Sequence, residues 1–228
     1  MSAAPSRSLC KCYSPWWVGV LLIVLLMSAR YGYAQPWQHW KTQQQISVDY
    51  RTLEPSGLTE IRADTTLTTT LSAFINLLRD TEKADTWIDR VKSVDEVIRY
   101  SETDSLVETH IKGFFMVQER WVLTRSTISQ DAQQRLTLEV ANDYRPSLRK
   151  PGIQVKYLKA TWTLTPLTDG RVHIRYQGVI DPAGKIPRWI VRDQSLQSTL
   201  NTFVGLRSRL QRPEYQRRTL PFIVEPEK

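Results

Sequence analysis

The sequence predicts an α+β domain in which one antiparallel sheet is closed by a long C-terminal helix. Three observations carry this. Alternating apolar and polar runs joined by short turns fill the middle of the chain, a three-four apolar pattern occurs twice, and an Asp-Pro-Ala-Gly turn (Asp181–Gly184) hands the last strand to the second helical segment. Strands that follow one another through short turns form an antiparallel meander rather than βαβ units, and helices set apart from one such sheet make an α+β domain. A curved sheet ending in an apolar-faced helix can enclose a cavity.

The first 34 residues read as an address. Arg7 and Lys11 precede the apolar run Trp16–Met27, and Gly32-Tyr33-Ala34 ends the segment. That order describes a secretory signal cleaved after Ala34. An uncleaved anchor is the rival, but the run is shorter than the about 20 apolar residues a spanning helix needs. Without Arg7, Lys11 and Arg30 the net charge falls from +8 to +5. That mildly basic balance could favour anionic lipid headgroups or nucleic acid, but it reads first as an ordinary soluble surface, with no cation run of the density that phosphate-backbone binding demands. Both cysteines, Cys10 and Cys12, lie in the signal, so the exported part is expected to hold no disulfide and no thiolate ligand.

Residues 35–44 are expected as an arm or short helix. Ile46–Tyr50 and Leu58–Leu67 alternate around the turn Glu54–Gly57, giving a hairpin. Leu71, Phe74, Ile75, Leu77 and Leu78 then take helical spacing behind a threonine cap. Strands are expected over Val94–Tyr100, Ser105–Lys112, Trp121–Ser129, Gln134–Asn142, Ile153–Leu164 and Val172–Ile180. Proline at 187 suits the first turn of the closing helix, with Leu196, Leu200, Phe203, Val204 and Leu210 on one stripe, and Pro213 stops it. The tail 213–228 is expected to be loose, with Leu220–Val224 as the part able to dock.

The chemistry inventory is thin. His39, His110 and His173 are scattered, and no spaced-histidine metal motif, glycine-rich phosphate loop or Gly-x-Ser-x-Gly elbow occurs. No metal, cofactor or nucleic-acid partner is therefore expected. On the strand 105–112, Leu106, Glu108 and His110 share one face, while Val107, Thr109 and Ile111 share the other. Alternation alone does not say which face lines a cavity. Trp162 and Tyr176 read first as core packing.

Four stretches resemble the bacterial type of START (steroidogenic-acute-regulatory-related lipid transfer) domain, within the helix-grip group that also holds polyketide cyclases. They are Trp162–Leu167 with Asp169–Val172, Ile174 and Tyr176; Asp181–Val191; Ala73-Phe74, Leu77-Leu78 and Asp80 leading to Trp87; and Glu119–Val122 with Arg125-Ser126. The resemblance spans about residues 45–211. It implies a bent sheet gripping a C-terminal helix around a tunnel that takes one lipid, fatty acid or sterol-like molecule, in a monomeric, non-enzymatic carrier or sensor. It further implies that Arg125 faces the tunnel, paired with Glu108 or His110 to hold the ligand's polar end. Trp121, Trp162, Tyr176, Leu196, Leu200 and Phe203 would contribute walls. Phe114, Phe115 and Met116 would sit at the mouth, as a lid or a transient membrane contact.

The chain departs from that pattern at three places. Glu119-Arg120 stands where the family commonly has Arg-Asp, Gly113–Val117 stands where prolines are usual, and Arg192 replaces an asparagine after the helix tryptophan. With its signal, the domain is expected in the bacterial periplasm. Two other functions compete: an enzyme using Glu108, His110 and Arg125, and a cavity-less envelope interaction domain.

Overall fold

The computed structural model describes residues 35–113, 117–145 and 152–226. The expected signal segment, both cysteines, and Phe114, Phe115 and Met116, expected at the mouth, lie outside them. Among the described residues one sheet runs in the order β1 (Gln38–Gln43), β2 (Ile46–Leu53), β3 (Leu58–Thr68), β10 (Arg171–Asp181), β9 (Tyr157–Pro166), β7 (Leu136–Asn142), β6 (Arg120–Gln130), β5 (Asp104–Ile111) and β4 (Val91–Ser101), with a tenth strand, β8 (Ile153–Gln154), beside β6.

β2 (Ile46–Leu53) and β3 (Leu58–Thr68) form the expected hairpin, in register from Ile46 opposite Thr65 to Leu53 opposite Leu58. Gly57 closes its turn at φ +62°, donating to Leu53 O at 2.7 Å, and the Arg188 guanidinium fills the space where a side chain would stand. β1 (Gln38–Gln43) corrects the expected arm: it pairs antiparallel with β2, so the sheet begins before residue 45. The two-residue turn into β2 is made by Gln44 and Gln45, both at positive φ. No Asn or Gly announces it, which is why the hairpin is not visible in composition.

α1 (Leu71–Arg79) starts where expected. The Thr70 side chain accepts from Ala73 N at 3.1 Å, and the Glu225 carboxylate accepts from the Leu71 and Ser72 amides at 2.9 and 2.7 Å. A 3₁₀ helix (Thr81–Thr86) leads to the buried Trp87. The meander then runs through β4 (Val91–Ser101), β5 (Asp104–Ile111), β6 (Arg120–Gln130) and β7 (Leu136–Asn142).

The single strand expected over Ile153–Leu164 is two. β8 (Ile153–Gln154) lies parallel to β6, and β9 (Tyr157–Pro166) pairs with β7 and β10 (Arg171–Asp181). At the corner Val155 donates to Trp121 O and Lys156 to Asp181 O. The chain changes partner there, and periodicity is blind to that.

β10 also pairs with β3, joining the hairpin to the meander. α2 (Arg188–Leu210) packs on β2 and β3. Leu196, Leu200, Phe203, Leu206 and Leu210 are buried with Phe74, Leu164 and Ile174 in one core cluster. Gly205 permits the close approach of the 3₁₀ segment, since a side-chain carbon there would lie 2.5 Å from Trp87 O.

The tail is packed rather than loose, and the stretch able to dock, Leu220–Val224, does so through Leu220 and Ile223. After α3 (Pro213–Gln216), Tyr215, Leu220 and Ile223 are buried. Asn76 Nδ2 donates to Arg218 O at 2.6 Å, and the Leu220 amide donates to Ser72 Oγ at 3.2 Å. The tail packs against α1 because its few apolar residues complete that helix's core.

Candidate ligand pocket

Under the N-terminal half of α2 the core gives way to a pocket of about 470 Å³. Its walls come from β4, β5, β6, β7, β9 and β10, from α1 with the 3₁₀ segment, and from α2. A volume of this order lies within the about 300–1,000 Å³ typical of small-molecule sites. A smaller recess of about 290 Å³ adjoins it beside Gly57 and Arg188, sharing Thr59, Ile180, Pro182, Ile186, Val191 and Ser195.

Strand parity decides which side chains see the pocket. Val107, Thr109 and Ile111 of β5 line it, with Arg120, Val122, Thr124 and Ser126 of β6. The register sets Leu106 opposite Arg125, Glu108 opposite Leu123, and His110 opposite Trp121, so these six share the other face. The expected Arg125–Glu108 pair is thus not formed in the pocket. Arg125 is exposed, donating to Asp104 at 2.9 and 2.6 Å and lying over the Tyr100 ring. Glu108 is buried on that same outer face, 2.8 Å from His110 Nε2. Trp121 packs there with Leu106 and Leu123.

Leu196 and Leu200 are also displaced from the expected wall. They turn into the core, while Val191, Gln194, Ser195, Ser198, Thr199 and Thr202 of α2 meet the pocket. A helix turns about 100° per residue, so the two stripes are neighbours, and Phe203 belongs to both. The hydroxyl-rich stripe carries no signal of its own, because only the apolar one stands out in a sequence.

Trp162, Tyr176 and Phe203 do lie on the pocket wall. Trp162 is the hub of an aromatic floor, with ring centroids 5.3 Å from Phe74, 4.8 Å from Tyr176 and 5.5 Å from Phe203. Burial pushes the Tyr176 hydroxyl up to about 12, so it stays protonated and able to donate. The glycine at 178 leaves room for that side chain, whose Cζ would stand 2.6 Å from any β-carbon there.

The carboxylates on the wall are matched. Glu96 pairs with Arg99 at 2.7 Å, Glu102 with Arg79 at 3.0 Å, Asp104 with Arg125, and Asp89 lies 3.8 Å from Arg90. Arg90 also donates to Gln194 of α2 at 2.5 Å. Arg120 differs: it is 6% exposed, and among the described residues its acceptors are backbone carbonyls alone, Gln118 O through Nη1 and Pro182 O through Nε at 3.3 Å. Burial pulls its guanidinium below the ordinary arginine value. Sequence reasoning missed it as a site residue, although it shares strand parity with Val122 and Thr124. Among the described residues no group of three His, Cys, Asp or Glu side chains could hold a metal.

Several solved structures that share this architecture are lipid-transfer proteins by name. A crystal structure of a STAR-related lipid transfer protein fragment from Xanthomonas axonopodis superposes at TM-score 0.71 with 26% identity, covering 78% of this chain and all of that one. Human StAR-related lipid transfer protein 5 superposes at TM-score 0.69 with 13% identity, covering 86% and 94%. In sequence, the chain is 26% identical over 203 residues to an uncharacterized protein of Pseudomonas aeruginosa, covering 83% of this chain and 96% of that protein. No family model matches. The chain has the helix-grip fold of START domains, and its likeness to the bacterial example extends to sequence.

Proposed function

We propose that this chain binds one hydrophobic or amphipathic molecule in the pocket between sheet and helix, as an exported carrier or sensor of the bacterial envelope. The observation that carries this is the pocket itself: about 470 Å³ on a lipid-transfer fold, with Ile61, Val107, Val122, Val140, Trp162 and Phe203 in its wall. Moving an apolar chain from water onto such a wall gains about 25 cal/mol for each Å² buried.

Binding fits better than turnover. Among the described residues the wall contains no histidine or cysteine, and its carboxylates are engaged by arginines. A nucleophile with an adjacent base, the usual sign of covalent catalysis, has no counterpart among the described residues of that wall.

Native mass spectrometry of the full chain, purified from the envelope of its own host and from a bacterial expression host, tests the reading. One bound lipid-sized molecule per chain is expected, displaceable by the neutral fluorophore N-phenyl-1-naphthylamine. Ligand-free protein from both sources that also fails to bind the fluorophore would overturn it. Sequencing the N-terminus of the same material tests cleavage after Ala34.

A further inference from the structure

We infer that the pocket selects a ligand with an anionic head, a carboxylate or a phosphate, and that Arg120 receives it. The inference rests on the ligand-binding reading above and adds the chemical class of what is bound.

A guanidinium taken out of water is costly unless charge and hydrogen bonds compensate it. Arg120 is 6% exposed and lies on the pocket wall, yet its two acceptors are neutral carbonyls, at Gln118 and Pro182. The other buried or half-buried arginines of the wall have carboxylate neighbours: Arg79 has Glu102, Arg99 has Glu96, and Arg90 has Asp89. Arg120 forms no ion pair, and Nη2 donates to no protein acceptor among the described residues. The turn beyond β10 leaves that nitrogen room. Gly184 sits at φ +77°, and a β-carbon there would approach Nη2 to 3.3 Å.

The carbonyls nonetheless aim the group. Pro182 O belongs to the Asp181–Gly184 turn and Gln118 O to the entry of β6, so Nε and Nη1 are held from two sides. A planar fork held at two of its three nitrogens presents its remaining N–H groups in a set direction, the geometry that suits carboxylate and phosphate oxygens. The pocket's polar end is thus beside the start of α2, and its aromatic floor at Trp162 receives the chain.

Competition against N-phenyl-1-naphthylamine on the full chain tests this with three single-chain probes: hexadecanoic acid, its methyl ester and hexadecyl phosphate. The wild-type protein should bind the acid or the phosphate at least about tenfold more tightly than the ester, as expected of a charge-assisted bond. Whichever anion is favoured identifies the head as carboxylate or phosphate. Arg120→Gln, which keeps donors for the two carbonyls, should lose that preference and bind acid, phosphate and ester alike. If Arg120→Gln does not fold, Arg120→Lys decides: a reduced anion preference is expected, and a wild-type ratio overturns the inference. Equal binding of acid, phosphate and ester by the wild type also overturns it while leaving the ligand-binding reading intact. So does an Arg120→Gln protein that is less heat-stable yet keeps the preference, because Arg120 would then be only a clamp. Failure of fluorophore and all three probes to bind would remove the ligand-binding reading itself.

Discussion

Trp162 of β9 lies nearly parallel to Phe203 of α2, with ring centroids 5.5 Å apart and planes inclined by 14°. This stack is the point where sheet and helix meet at the pocket, and it makes one contact both structural and ligand-facing. Phe203 is fully buried on its core side while it contributes to the pocket wall. Phe203→Ala should cost about 3–5 kcal/mol, the usual result of truncating a buried aromatic. Bound lipid should recover part of the loss by occupying the space. Denaturant unfolding with and without hexadecanoic acid measures both effects, and a ligand increment no larger than wild type's would separate the stack from the site.

Gly205 makes a sharper demand. A β-carbon there would meet Trp87 O at 2.5 Å and Trp87 Cα at 2.9 Å, both backbone atoms that no rotamer change can move. Gly205→Ala would gain helix propensity in isolation, but here overpacking should dominate, at about 1–3 kcal/mol. A variant as stable as wild type in urea would show that the 3₁₀ segment yields freely.

Glu225 is remote in sequence from the helix it caps. Its carboxylate accepts from the first two amides of α1, adding charge complementary to the helix dipole. Glu225→Ala should therefore cost about 1 kcal/mol, the scale of a lost cap. Amide exchange at Leu71 and Ser72 should quicken more than exchange in β6.

Acid stability should depend on Asp80. Burial pushes its carboxyl upward, but the Tyr215 hydroxyl at 2.8 Å and Lys83 at 3.1 Å outweigh that and hold it below 3.8. A carboxyl depressed by folding contributes stability that is complete above its unfolded value of about 3.9 and is lost as pH falls through the folded value. Asp80→Asn should thus lower the thermal midpoint at pH 7, and the difference from wild type should shrink below about pH 4. A gap that widened on acidification would reverse the assignment.

Arg125→Ala should leave both the thermal midpoint and hexadecanoic acid affinity unchanged. Its pair with Asp104 lies at the surface, where ion pairs contribute little, and its side chain is on the face away from the pocket. A tenfold loss of ligand affinity would return Arg125 to the site.

Most elements, though not β1 or the break between β8 and β9, are specified in the chain itself, because their signals are local. The hairpin around Gly57, the Thr70 cap, the period change at Leu71, the Asp181–Gly184 turn and Pro187 all act within a few residues and are legible one by one. The resemblance added the grip of sheet on helix. Tertiary structure decided what depends on pairing between distant strands. Gln44 and Gln45 make a turn that composition does not announce, and Glu225 caps a helix some 150 positions earlier. The site was least legible. A strand pattern fixes two faces but not which is concave, and the register of β5 against β6 set Val107 and Val122 inward. That choice sent Arg125, Glu108 and Trp121 outward together and brought Arg120 in. With a period of two, a single residue of parity moves every candidate on the strand.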